Sequence, residues 1–159
     1  MPPEFPHDKK ELIEALLAQP VLARLATANP KTGQPHVVPV WFLWDGQAIW
    51  ISAFSSTRKV RDLVQNPRCA VLIEPEKPDK LQGALFVGPV ESISQPPELV
   101  CDTSIRIYTR YMGYEGARAA EPQSWAVDPE NHLLKLTPSP IAVWECTGRM
   151  LCLPPKKTC

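Results

Sequence analysis

The stretch HVVPVWFLWDGQAIWISAFSSTRKVRDLVQNP, residues 36–67, decides the fold. Asp45-Gly46 in its middle is a dipeptide that takes the positive-φ conformations of a tight hairpin, and β-branched and aromatic residues flank it on both sides. HVVPVWFLW (36–44) and QAIWISAF (47–54) therefore read as adjoining antiparallel strands. TRKVRDLVQ (57–65) then switches to helical spacing, with Val60, Leu63 and Val64 as the apolar stripe, and Asn66-Pro67 stops the helix. Upstream, VLARLATA (21–28) is joined to the first of these strands by the turn formers NPKTGQP, which makes three strands a meander.

The same alternation between short strands and turn formers extends outward. DKKELIEALLAQ (8–19) places Leu12, Ile13, Leu16 and Leu17 on one helical face, with Asp8 and Glu11 at capping-box spacing, and Pro20 ends it. CAVLIEP (69–75) is a strand, and LQGALFVGPVESIS (81–94) is long enough to bend near Gly88-Pro89. A helix from about Pro97 to Tyr114 carries Ile105, Tyr108 and Met112 at helical spacing, and GARAAEPQSWAVDPEN has no clear period and reads as a loop. HLLKLTP and PIAVWECTG are closing strands, and LPPKKTC reads as a loose tail. Long bent strands suit small barrels, so the expected fold is mainly β: a single antiparallel β-barrel domain over 1–159, with an N-terminal helix at 8–19, the barrel at about 21–147 and a tail at 150–159.

Composition bounds the function. The chain has 159 residues, one core's worth, with 17 basic and 17 acidic side chains, so no net field draws it to nucleic acid or an anionic membrane. No apolar run approaches the ~20 residues of a membrane span, and nothing resembles a signal peptide. Five cysteines in irregular spacing, without a C-x-x-C pair, argue against a disulfide framework or zinc site. Cys69 and Cys146 read as small buried strand residues, and a reducing cytoplasm is the expected location. His36 and His132 lie far apart with no carboxylate pattern around them, so no metal site is expected. No nucleophile elbow, Walker loop or dinucleotide fingerprint is present, and no catalytic residue stands out.

Two features suggest a ligand. Pro39 sits inside a strand and cannot donate to a ladder, so that strand should be an edge, a bulge or a surface against which something flat lies. After the strand ending at Phe54, Ser55, Ser56 and Thr57 precede a helix opening with Arg58, Lys59 and Arg61. Cations are disfavoured at a helix N-terminus, whose free N–H donors carry partial positive charge, and a bound anion would reverse that. A phosphate dianion fits, with each charge-assisted hydrogen bond worth roughly 1.5–3 kcal/mol. A solvated helix face capped by Ser56 or Thr57 fits the same spacing. Trp41, Trp44, Trp50, Trp125 and Trp144 suit stacking on a flat ligand, the core or a subunit interface, the interface being favoured for most, and Tyr108, Arg110 and Tyr111 suit either a substrate mouth or helix packing.

The ordered series PHVVPVWFLWDG, IWIS and SSTRKVRDLVQNPRCAVLI resembles the pyridoxamine 5'-phosphate oxidase-like family of FMN-binding split barrels, and LLKLTP (133–138) followed by Trp144 resembles its closing strands. The resemblance implies a homodimer with FMN in grooves between the subunits and flavin redox chemistry on a small molecule. It implies that Arg58 and Lys59 bind the phosphate, that Ser52, Ala53 and Thr57 lie near the phosphate and ribityl chain, and that Val38, Pro39, Val40 and Trp41 back the isoalloxazine ring. The strand HVVPVW lacks the basic residues of pyridoxamine phosphate oxidases proper, and their C-terminal arginine and histidine are not evident, so the vitamin phosphate is not the expected substrate. Relatives that bind a deazaflavin coenzyme or haem leave those cofactors, and a non-enzymatic binding role, as alternatives. A haem would need an axial ligand such as His36.

Overall fold

The computed structural model describes residues 9–77 and 81–146. Asp8 of the expected capping box, the expected tail and two of the cysteines, Cys152 and Cys159, lie outside them.

Eight strands form one antiparallel sheet in the order β2-β1-β5-β6-β7-β4-β3, with β8 paired to β6. The strands are β1 (Ala23–Ala28), β2 (Pro35–Val40), β3 (Leu43–Trp44), β4 (Ile49–Phe54), β5 (Arg68–Ile73), β6 (Leu81–Ile93), β7 (Asn131–Leu136) and β8 (Ile141–Cys146). The helices are α1 (Lys10–Ala18), α2 (Arg58–Gln65), α3 (Pro97–Ala117) and α4 (Ala120–Ala126). The sheet curls so that alternate residues enclose one core: Leu25, Ile51, Val71, Phe86 and Leu134 are buried in it, together with Ile13, Leu16 and Leu17 of α1 and Val60 and Leu63 of α2. The outcome is the expected split barrel, open between the end strands β2 and β3.

The stretch expected to be one strand over 36–44 is two. β2 pairs with β1 from Val40 to Pro35, whereas Leu43 and Trp44 pair with Trp50 and Ile49 of β4. The expected three-stranded meander is therefore broken at Trp41–Phe42, where the chain crosses between the two halves of the barrel. Phe42 is fully buried, and its N–H donates to Tyr111 Oη on α3 (3.2 Å) instead of to a neighbouring strand. Alternation of apolar residues continues through the crossing, which is why the sequence pattern does not mark it. Pro39 pairs opposite Arg24 on the free edge strand, where its missing donor leaves no ladder bond unmade.

β6 spans both halves. It pairs with β5 as far as Arg68↔Pro89 and with β7 from Val90↔Leu136, while residues from Leu81 to Phe86 pair with β8. The change occurs at Gly88, the expected bend, where a Cβ would lie 2.5 Å from the Thr137 carbonyl oxygen.

Two helical readings are corrected. Val64 is exposed, and Asp62 takes its place beside Val60 and Leu63 on the buried side of α2. Residues 120–126, expected within a loop, form α4, too short for a period to show. α3 runs to Ala117 with a break at Gly113 (φ 75°). It covers the outer face of the sheet, where Ile107 and Tyr108 pack with Ala126, Trp41, Trp50 and Trp125.

Candidate functional site

The sheet's two end strands, β2 and β3, meet at the crossing 41–42, β4 runs on past β3 to Phe54, and α2 begins where β4 ends. The link is held by two backbone bonds, Ser55 N–H to Glu130 O (2.8 Å) and Thr57 N–H to Phe54 O (3.0 Å). The Thr57 hydroxyl also donates back to Phe54 O (2.6 Å), so the N-cap residue of α2 does not cap it. The first helical bond is Arg61 N–H to Thr57 O, and the N–H groups of Arg58, Lys59 and Val60 have no acceptor among the described residues.

The two basic residues that follow differ in environment. Arg58 Nε lies 3.5 Å from Asp62 Oδ2, which also accepts from Thr27 Oγ1 at 3.4 Å. Asp62 is 5% exposed, so Arg58 is drawn along one side of α2 by a buried carboxylate. That side faces a cavity of about 330 Å³ between α2 and the β1–β2 turn, lined by Asn29, Lys31, Arg58, Arg61 and Gln65 besides Asp62. The turn is fixed by Asn29, whose side-chain oxygen accepts from the N–H groups of Lys31 (2.9 Å) and Thr32 (3.0 Å), and by Gly33 at φ 71°. Lys59 is half-buried, has no carboxylate partner among the described residues, and its amine is pushed below the usual lysine value by burial.

The other expected site residues divide between two surfaces. Ala53 faces the barrel interior opposite His132, whose Nδ1 is 3.2 Å from Ser92 Oγ. Ser52 faces α3, where its hydroxyl donates to Asn131 Oδ1 (2.8 Å) and accepts from Ser104 Oγ (3.1 Å), while Asn131 Nδ2 donates to Ser104 Oγ (2.9 Å) and closes the ring. Tyr108 Oη adds a fourth group at 3.0 Å from Ser52, and burial raises its pKa against the pull of those hydroxyls. On β2, Val38 and Val40 pack with the barrel core, and Pro39 and Trp41 point the other way. The side chains thus divide between two faces, and a flat ring would meet all four residues only along the strand's free backbone edge.

The aromatics are tied within the chain. Trp41 stacks on Tyr111 (centroids 5.0 Å apart, planes 5° apart), Trp44 packs against Phe86, and Trp125 meets Tyr108 edge-on. Trp50 Nε1 donates to Asp45 Oδ2 at 2.6 Å. Tyr111 Oη donates to Val21 O (2.8 Å), and Arg110 reaches the carbonyls of Leu17 (2.6 Å) and Gln19 with its guanidinium over the Phe42 ring. Helix packing, not a substrate mouth, is what Arg110 and Tyr111 do here. The described residues contain no cluster of three metal-ligating side chains.

Residues 10–145 match the pyridoxamine 5'-phosphate oxidase family. The chain belongs to that family. Three solved members of the fold place this family chain among varied relatives. A conserved hypothetical protein from Mycobacterium tuberculosis is 22% identical, with 86% of this chain and 84% of that one covered and a TM-score of 0.72. An F420 reductase is 25% identical over 81% of this chain and 94% of its own, with a TM-score of 0.65. The heme storage protein HutZ from Vibrio cholerae is 16% identical over 86% and 93%, with a TM-score of 0.66. No curated protein matches the chain.

Proposed function

We propose that this family member is a flavin-dependent oxidoreductase that binds FMN at the start of α2 and acts on a small molecule. The observation that carries the reading is the charge at that helix start: Arg58, and a half-buried Lys59 with no counterion among the described residues, beside three N–H groups that have no acceptor among them. Burying a cation without a partner is costly, and an anionic ligand removes that cost. The proposed division of labour gives the phosphate to Arg58, Lys59 and the backbone at Thr57, the ribityl chain to the end of β4 at Ser52 and Ala53, and one face of the ring to β2. When bound, the flavin supplies the hydride-transfer chemistry, and the protein orients it and limits water. The protein is proposed to act as a cytoplasmic homodimer with the cofactor between subunits. Val37, 59% exposed, and Pro39 on the uncovered β2 edge support a covering partner.

A deazaflavin coenzyme is the second reading. It is favoured by the two further cations, Lys31 and Arg61, that line the cavity beside Arg58, and by the 25% identity to an F420 reductase. The absorption spectrum of the purified protein, with the mass of the released cofactor, tests both. An FMN spectrum and mass support the first reading. A colourless protein that takes up no added FMN overturns it, and titration with the deazaflavin then decides the second.

A further inference from the structure

A second cavity, of about 530 Å³, lies on the outer face of the sheet between the end of β6, the first turns of α3 and the α4–β7 link. That size is within the range of small-molecule sites, and its walls are of the mixed kind such sites have. Its accessible apolar wall comes from the exposed Pro97 and Pro129, laid over the almost fully buried Val100 and Ala126. Asn131, 4% exposed, lines it with an amide locked by the Ser52–Ser104 ring, so this wall is rigid. The ionisable groups at the opening are all acidic: Glu98, Asp102 and Asp128 line the cavity, no Lys, Arg or His does, and none of the three carboxylates pairs with a cation among the described residues. The start of α3 favours Glu98, but Asp102, one turn on, only repels it.

We infer that this cavity binds a small organic cation, an ammonium on a compact apolar body, whose apolar part packs on Pro97 and Pro129 while its charge lies among Glu98, Asp102 and Asp128. The cavity adjoins the end of β4, since Asn131 on its wall is bonded to Ser52, but none of its lining residues is one assigned to the flavin, so the two readings are tested separately. Cys101, half-buried on its wall, reports occupancy.

The experiment uses the full chain and measures alkylation of Cys101 by peptide mass during titration with phenethylammonium chloride, and with 2-phenylethanol as the uncharged probe of similar shape. Saturable protection by the ammonium, about tenfold tighter than by the alcohol, is expected from two or three contacting carboxylates. Glu98→Gln combined with Asp102→Asn should abolish that preference without lowering the melting temperature. Val127→Arg, at a 67% exposed position on the rim that cannot disturb the core, should weaken the ammonium alone. Equal protection by both probes, no saturable protection, or a preference that survives both variants overturns the assignment.

Discussion

Lys59 and Asp62 make opposite contributions to the same helix start. A lysine whose pKa is depressed by burial binds fewer protons folded than unfolded, so, without a ligand, stability conferred on the folded state rises with pH as Lys59 loses its charge below the ordinary lysine range. Lys59→Met should therefore leave the cofactor-free melting temperature unchanged or higher, while the FMN dissociation constant rises. Calorimetry and a flavin titration on one preparation check both. For Asp62, two arguments predict different signs. If the carboxylate acted only by charge, Asp62→Asn beside an anion site would tighten binding. Because it holds Arg58 through Nε, the account predicts weaker FMN binding, by about fivefold or ~1 kcal/mol, measured by fluorescence quenching. Asp45 behaves as an ordinary turn carboxylate. Burial works to raise its pKa, but hydrogen bonds from Trp50, Ala48 and Gln47 and the charge of Lys135 prevail and lower it, so its stabilisation is present above the usual carboxylate range and is lost as pH falls through the depressed value. The basic pair was legible in the sequence because Arg58 and Lys59 break the rule for helix starts. Asp62 was not, because a carboxylate four residues after an arginine reads as a surface ion pair until the fold buries it under Thr27.

At the scale of elements, two joints carry the barrel. The first is Gly88, where the β7–β8 link closes over β6, and its backbone leaves no room for a side chain. Gly88→Ala should cost about 1–3 kcal/mol in urea unfolding, because the atom it would meet is a carbonyl oxygen rather than a movable side chain. The second is the crossing at Trp41–Phe42. Tyr111 accepts from Phe42 N–H and donates to Val21 O, joining α3 to both halves of the barrel with one hydroxyl. Tyr111→Phe leaves both groups without that partner and should destabilise by about 1–3 kcal/mol with FMN affinity retained, as checked by parallel unfolding and titration. These joints explain what the sequence showed and what it hid. Gly88-Pro89 marked its bend, since neither residue suits an uninterrupted strand. The crossing left no mark, because Val40 and Phe42 keep alternating inward while their hydrogen-bond partners change, and the partner is a tyrosine about seventy residues away. α4 was lost for a different reason: seven residues span two turns, too few to establish a period.

At the scale of the molecule, the order β2-β1-β5-β6-β7-β4-β3 leaves β2 and β3 as the sheet's two ends, and the barrel is split between them. Strand count, turn chemistry and the family series made the barrel readable from the chain alone, and the match over residues 10–145 establishes the family. The proposed site was legible as a location rather than as a set of contacts: strand alternation turns the side chains of Val38 and Pro39 to opposite faces of β2, and Ser52 has its hydroxyl committed to Asn131 and Ser104. The charge pattern also orders the cofactors. In the proposed site a monophosphate would use Arg58 and Lys59, whereas a coenzyme with further acidic groups would also engage Lys31 and Arg61.

The central claim is that the start of α2 holds the phosphate of a flavin. Its most direct test is FMN titration of the parent and of the Arg58→Ala, Lys59→Ala double variant, with circular dichroism of both to establish the fold. The account predicts saturable FMN binding by the parent and at least a hundredfold loss in the variant, about 2.7 kcal/mol or more for two charge-assisted contacts, with unchanged spectra. FMN affinity that is the same in both proteins would contradict it and would move the phosphate away from α2.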